Sequence, residues 1–268
     1  MSIKNVKIGT DFEMFLQDVN TNEIISAEGL VQGTKNQPFQ FDKRNKYFAI
    51  SLDNVSVEGN IPPATTAYQF YKNVQKTIEY INSVIPSNVK AVPLPAARLA
   101  EKYVSTEHAQ ILGCESDLNA YTGETNPRPN VQCKENYTLR SSGGHLHLSY
   151  DNPDPFTSFD LIRALDLFVG VPSVIMEPDN ERKKLYGKAG ACRLKSYGVE
   201  YRSPSNYYLQ SEELTRWMFD NAKESVNFLN EGGLEWLDED KNVIVHCINE
   251  KDENVAKKLI DKYSLNLL

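Results

Sequence analysis

The chain has 268 residues, 40% of them hydrophobic, and a formal net charge of −7. Such a length supports a substantial hydrophobic core, and the acidic balance argues against general nucleic-acid binding, which needs a basic surface. No apolar run of about 18 residues is present, so no membrane-spanning helix is expected.

The first residues, Met1 to Lys7, lack the long apolar core of a signal peptide. Val6 to Leu16 then reads as a strand. Asp11, Glu13 and Phe15 share one face, and Phe12, Met14 and Leu16 share the other. Two acids thus interrupt an otherwise apolar strand. Gly29 to Arg44, rich in Gly, Gln, Asn and Lys, reads as a loop. Tyr47 to Asn60 reads as the next sheet segment. Val55 and Val57 alternate there with Ser56, Glu58 and Asn60, and Pro62-Pro63 ends it.

Thr65 to Val84 has the three-and-four spacing of an amphipathic helix, with Tyr68, Tyr71, Val74, Ile78, Ile81 and Ile85 on the stripe. Val89 to Val92 is expected to be a short strand and Ala96 to Tyr103 a short helix. Leu112 to Pro129 is irregular, with the composition of a binding loop or of a disordered excursion.

The segment Arg140-Ser141-Ser142-Gly143-Gly144-His145-Leu146-His147-Leu148-Ser149-Tyr150 is the most informative. A period of two puts His145, His147 and Ser149 on one face and Leu146, Leu148 and Tyr150 on the other. The glycine pair suggests a bulge or a ligand close to the backbone. A half-exposed strand with two surface histidines would give the same pattern. Two of the chain's four histidines stand here, which favours a site.

Ser158 to Met176 is helical in pattern, with Leu161, Leu165, Phe168 and Val169 buried and a kink expected at Pro172. In Tyr197 to Pro204, Glu200 and Arg202 share a face opposite Val199 and Tyr201. Ser211 caps a helix to about Leu229. Asn242 to Ile248 reads as an edge strand, and Glu253 to Tyr263 as a charged terminal helix. There is no repeat and no clear domain boundary, so residues 1–268 read as one domain. Cys114, Cys133, Cys192 and Cys247 form no C-x-x-C pair. That excludes a zinc finger and fits free thiols in a reducing cytosol.

Four strands therefore share one design: apolar on one face, with a few ionisable groups on the other. This is the signature of an antiparallel sheet with one packed and one open face. If the strands are neighbours, Glu13, Glu58, Glu200, His145 and His147 gather with several cations. Carboxylates so close repel unless neutralised. Mg²⁺ or Mn²⁺ would do so. Arginines among the acids point to a ligand with negative charge of its own, such as a nucleotide triphosphate. Neither a Walker A loop nor a G-x-G-x-x-G after a strand is present.

These residues carry a resemblance. Ser142 to Ser149 resembles the S-G-x-H-x-H-x-S strand of glutamine synthetases, and Val199 to Asn206 their R-I-E-x-R-x-P strand and following Asn. Asn180 through Arg193 resembles the arginine-bearing segment before it. Gly9 to Glu13 and Val57 to Asn60 resemble the metal-binding Glu strands of glutamate–cysteine ligases. Gly113 to Asn119, Arg140 to Ser149 and Asp179 to Asn206 together are similar to the phage-associated COOH–NH2 ligase type 2 family, over nearly the whole chain.

The resemblance implies an α+β fold: a curved, mostly antiparallel sheet with helices packed on its convex face, like the glutamine synthetase catalytic domain. It implies ATP with Mg²⁺ or Mn²⁺ in the concave funnel. Glu13, Glu58, His145 and Glu200 would be metal ligands, with His147 the alternative to His145. Arg140, His147 and Lys188 would bind the cofactor, and Arg182, Arg193 and Arg202 would be catalytic. Small-molecule or peptide carboxylates and amines would be the substrates, in a cytoplasm (the host's, if the chain is phage-encoded). Two departures matter. The chain is too short for the separate N-terminal domain of glutamine synthetases, and their ammonium-site loops are not recognisable, so their substrates do not transfer. A phosphotransferase like the guanidino kinases, a silent binding module and a metal-dependent hydrolase compete with the ligase reading.

Overall fold

The computed structural model describes residues 2–110, 117–127, 137–177 and 181–268. Cys114, Cys133, Asp179 and Asn180, and both ends of the irregular 112–129 stretch, lie outside the described residues. The first half holds β1 (Lys7–Asp18), β2 (Ile24–Ile25), β3 (Phe39–Gln40), β4 (Ala49–Asp53), β5 (Ser56–Asn60), α1 (Ala67–Val84), β6 (Val89–Val92), β7 (Ala96–Arg98), α2 (Glu101–Val104), α3 (Glu107–Gln110) and β8 (Leu118–Asn119). The second half holds β9 (Leu139–Ser141), β10 (Gly144–Ser149), α4 (Pro155–Leu165), α5 (Val171–Met176), β11 (Ala191–Lys195), β12 (Gly198–Tyr201), α6 (Glu212–Asn230), α7 (Leu234–Glu250) and α8 (Glu253–Tyr263).

The fold is α+β, as the resemblance implies. Among the described residues a ten-stranded sheet runs β3-β4-β5-β1-β10-β12-β11-β8, with β2 and β6 paired to the far part of β1. The named strand pairs are antiparallel. One face is the core: Ile8, Phe12 and Met14 of β1, Leu146 and Leu148 of β10, and Val199 and Tyr201 of β12 are buried in one cluster with α1, α4, α6 and α7. Burying each such side chain contributes about 1.5–3 kcal/mol. Ser211 caps α6 by accepting from the Leu214 N–H, as read from the sequence. Among the described residues no helix is long and apolar enough to cross a membrane.

Four expectations are corrected. Tyr47 to Asn60 is two strands, because Asn54 adopts the left-handed conformation (φ 54°) and turns the chain between β4 and β5. Tyr68 is 59% exposed, and the buried stripe of α1 is Phe70, Val74, Thr77 and Ile81. Ala96 to Arg98 is a strand paired with β9, and only Glu101–Val104 is helical. Asn242 to Ile248 lies inside α7, whose Leu237, Ile244, Cys247 and Ile248 pack into the core at helical spacing. The expected kink near Pro172 takes the form of a π turn, Asp166–Gly170, between α4 and α5. Proline has no N–H for the carbonyl one turn back, and the helix widens there instead.

The glycine pair before β10 has a packing reason. A Cβ on Gly143 would stand 2.2 Å from His145 Nε2, and one on Gly144 would stand 2.4 Å from the Ser205 carbonyl oxygen. The pair lets the His145 ring fold back and lets the 205 backbone press against the strand. Gly144→Ala is expected to cost about 1–3 kcal/mol, the usual range for overpacking. Gly9→Ala, where a Cβ would find ordinary 3.6 Å contacts, is expected to be near neutral. Equal denaturation midpoints for the two variants would count against this account.

Candidate functional site

The register explains how the polar face is assembled. Glu13 on β1 stands directly opposite Glu58 on β5, and Glu58 opposite Ser51 on β4. On the other side Asp11 stands opposite His145, His147 opposite Glu200, and Glu200 opposite Arg193. The acids therefore fall into two groups, not one.

The first group is Glu13, Asp53 and Glu58. Each offers an oxygen within 4.8 Å of the others'. The Gly143 N–H donates to Glu13 Oε2 at 2.8 Å, and Asn60 Nδ2 donates to Glu58 Oε1 at 3.2 Å. Lys35, 40% exposed, lies 3.3 Å from Asp53. Burial, and then the charges of Asp11, Asp53 and Glu13, push Glu58 up to about 8. Glu13 is also raised, by burial and by Asp53.

The second group is Asp11, His147 and Glu200, whose ligating atoms likewise lie within 4.8 Å. Asp11 is 3.1 Å from His147 Nε2 and 3.0 Å from His145 Nδ1. His147 Nδ1 lies 2.6 Å from the Tyr197 hydroxyl. Glu200 pairs with Lys195 at 2.7 Å and closely with Arg202. Burial and Asp11 push Glu200 up, but Arg202, His145 and His147 outweigh them and hold it at about 2. Burial likewise opposes ionisation of Asp11, and the His147 and His145 charges more than offset it, so its pKa lies well below the usual range. Burial lowers His147, and Asp11 more than restores it, so its pKa is raised. His145 Nδ1 is also 3.2 Å from Arg202 Nη1. It can donate to Asp11 or accept from Arg202, but not both at once.

The two groups differ in charge balance. The second is matched by its own cations. The first crowds three carboxyl groups, with Lys35 against one of them, beside a cleft with about 600 Å³ of empty space, part of it open to solvent, lined by Glu13, Asp53, Asp117, Arg140, Arg182 and Arg202.

The remaining expected residues are placed as follows. The Arg202 guanidinium reaches Asp117 at 2.6 Å as well as Glu200. Arg193 lies between Asp117 (3.5 Å) and Glu200 (3.8 Å). Arg140 is buried and donates to Asn54 and to the carbonyls of Tyr137, Leu139 and Ala109. Arg182, also buried, donates to the carbonyls of Ser142, Arg202 and Ser203. Both arginines line the cleft as braces. Lys188 departs from its expected place. It is exposed, and its ammonium bonds the Asn249 carbonyl near the end of α7. His147, the alternative to His145 as a ligand, joins an acid group, and His145 sits between Asp11 and Arg202. Asp11, Asp53, Asp117, Lys195 and Tyr197 were not named as site residues. Only Asp11 carried a signal, its place on Glu13's face.

Two solved structures are similar to the chain. A bifunctional glutathione synthetase from Pasteurella multocida aligns at a TM-score of 0.43 and 11% identity, over 97% of this chain and 49% of its own. A Plasmodium falciparum glutamine synthetase aligns at 0.36 and 13%, over 82% and 52%. The chain spans about half the length of each. No curated protein matches the sequence. Residues 131–229, which hold β9 to β12 and nearly all of α6, match the model described as phage phiEco32-like COOH·NH2 ligase type 2, and over that segment the family resemblance read from the sequence is borne out.

Proposed function

We propose that the chain is an ATP-dependent carboxylate–amine ligase that makes an amide bond through an acyl-phosphate, with Mg²⁺ or Mn²⁺. The observation that carries this reading is the convergence of Glu13, Asp53 and Glu58 beside an arginine-lined cleft, within a chain whose segment 131–229 matches a carboxylate–amine ligase family. The residues fit a hard divalent cation: Glu13, Asp53 and Glu58 offer oxygens only, and their mutual repulsion is what a cation relieves. Asp11, His147 and Glu200 fit one less well, because neighbouring cations already balance them. When bound, the cation supplies positive charge against the phosphates of ATP.

In this reading the substrate carboxylate attacks the γ-phosphorus and ADP leaves. The amine then adds to the acyl carbon and inorganic phosphate departs. Arg202, only 5% exposed at the cleft, presents fixed positive charge to the phosphoryl group as it transfers. Asp117 and Glu200 hold the guanidinium in place. No Ser or Cys nucleophile is required.

Phosphate release from ATP, screened over pooled amino acids, polyamines and dicarboxylates with Mg²⁺ or Mn²⁺, tests the proposal. Release that depends on both an acid and an amine is expected. Transfer of phosphate to a product without release would indicate a phosphotransferase, and turnover without ATP a hydrolase.

A further inference from the structure

The π turn between α4 and α5 begins at Asp166, a carboxylate with no exposure in the apolar core. A charge there is costly unless fully hydrogen-bonded. Asp166 accepts from the Tyr201 hydroxyl at 2.7 Å and from the Gly190 N–H at 2.6 Å, and Ser203 Oγ, 3.3 Å away, donates its one proton either to Asp166 or to the Lys188 carbonyl at 2.8 Å. Gly170, at the other end of the turn, leaves room for this: a Cβ on it would stand 3.0 Å from the Tyr201 hydroxyl oxygen.

These partners are not scattered. Gly190 immediately precedes β11, Tyr201 ends β12, and Ser203 lies two residues beyond. The two strand ends are also tied to each other by the Arg202 N–H donating to the Ala191 carbonyl at 2.9 Å. Arg202 thus follows directly on Tyr201, which Asp166 holds, with Ser203 within reach of Asp166 on its other side, and Arg182 holds the carbonyls of Arg202 and Ser203. A hydrophobic residue would fill position 166 without the cost of burying charge. We infer that Asp166 is a positioning residue, which fixes the paired ends of β11 and β12 from the helix side and so aims Glu200 and Arg202 on the other face. What those two side chains then do rests on the ligase reading.

Asp166→Asn and Tyr201→Phe test this, by hydrogen–deuterium exchange and by kinetics with an acid–amine pair from the screen. Exchange in residues 188–205 is expected to quicken about tenfold or more, with β1 and β10 unchanged and melting still cooperative. The kcat is expected to fall by about 10–10², the effect of a small misplacement at the reacting centre, while KM for ATP stays within about twofold. Unchanged exchange overturns the inference. So do wild-type kcat and KM despite faster exchange, which would leave only a structural role. If Asp166→Asn does not fold, Tyr201→Phe, which removes one hydroxyl and keeps the ring, decides both readouts. If the wild-type protein turns over no pair, the ligase reading fails, and the exchange comparison alone decides the positioning.

Discussion

Arg202→Lys is expected to lower ligase turnover by roughly 10²–10³ while ATP binds almost as tightly as before. The magnitude follows from loss of one fixed donor to charge that develops in a transition state. The guanidinium lies between Asp117 and Glu200, with Nε toward the first and Nη1 toward the second. A lysine keeps the charge but has no fork, so it can serve one acid well and not both. An interaction made only in the transition state changes kcat and leaves binding alone. Glu200→Gln is the contrasting variant. It leaves Lys195, Arg193 and Arg202 facing one another without their acid, so it should lower stability and weaken nucleotide binding together. If Glu200 and Arg202 merely brace the sheet, both variants would lose stability and keep turnover per folded molecule. Full turnover by Arg202→Lys would remove Arg202 from the chemistry.

Adding Mg²⁺ or Mn²⁺ is expected to raise the melting temperature and to release a proton. Glu58 titrates at about 8 in the folded chain and at 4.5 by its ordinary value. Between these values the folded state holds a proton that the unfolded state has lost. The stability this contributes is complete below about pH 4.5 and is lost as pH rises through about 8. Without a cation the melting temperature should therefore fall over that window. A cation needs the carboxylate, so its binding at about pH 7 should expel close to one proton, and its affinity should climb until Glu58 is ionised. At about 100 times its Kd the cation adds about 2.7 kcal/mol. Calorimetry in two buffers of different ionisation enthalpy counts the protons, and Glu58→Gln should reduce the release, leaving only what Glu13, also raised, contributes. A melting curve unmoved by millimolar cation, with no proton released, would rule out a cation at Glu13, Asp53 and Glu58.

Much of the sheet was legible because its two faces carry different chemistry, apolar side chains on one and ionisable groups on the other. Alternation in β1, β10 and β12 placed Glu13, His145, His147, Glu200 and Arg202 away from the packed side, and the core shows Phe12, Leu146, Leu148, Val199 and Tyr201 on that side. Asp53 and Asp117 were not legible, since they lie at a strand end and beside a two-residue strand, where no alternation marks a face. The bracing roles of Arg140 and Arg182 depend on partners far along the chain, Asn54 and the Ala109 carbonyl for the first and the Ser142, Arg202 and Ser203 carbonyls for the second, so local sequence held no sign of them. The Val243-Ile244-Val245 run suggested a strand because β-branched residues favour one. Packing of Leu237, Ile244, Cys247 and Ile248 against the core overrode that preference.

The middle strand β1 has one further consequence. Asp11 and Glu13 stand two residues apart on it, and each of the two acid groups takes one of them. An extended chain advances about 3.4 Å per residue, so the offset between the groups along the strand is a backbone repeat of about 7 Å. Substitution at either position can change what a group holds but not that offset. A one-residue insertion between them would turn every later side chain of β1 to the opposite face, driving Phe12's neighbours out of the core. The two centres can thus be retuned one at a time through their partners on β4, β5, β10 and β12, while their spacing stays locked to the strand they share.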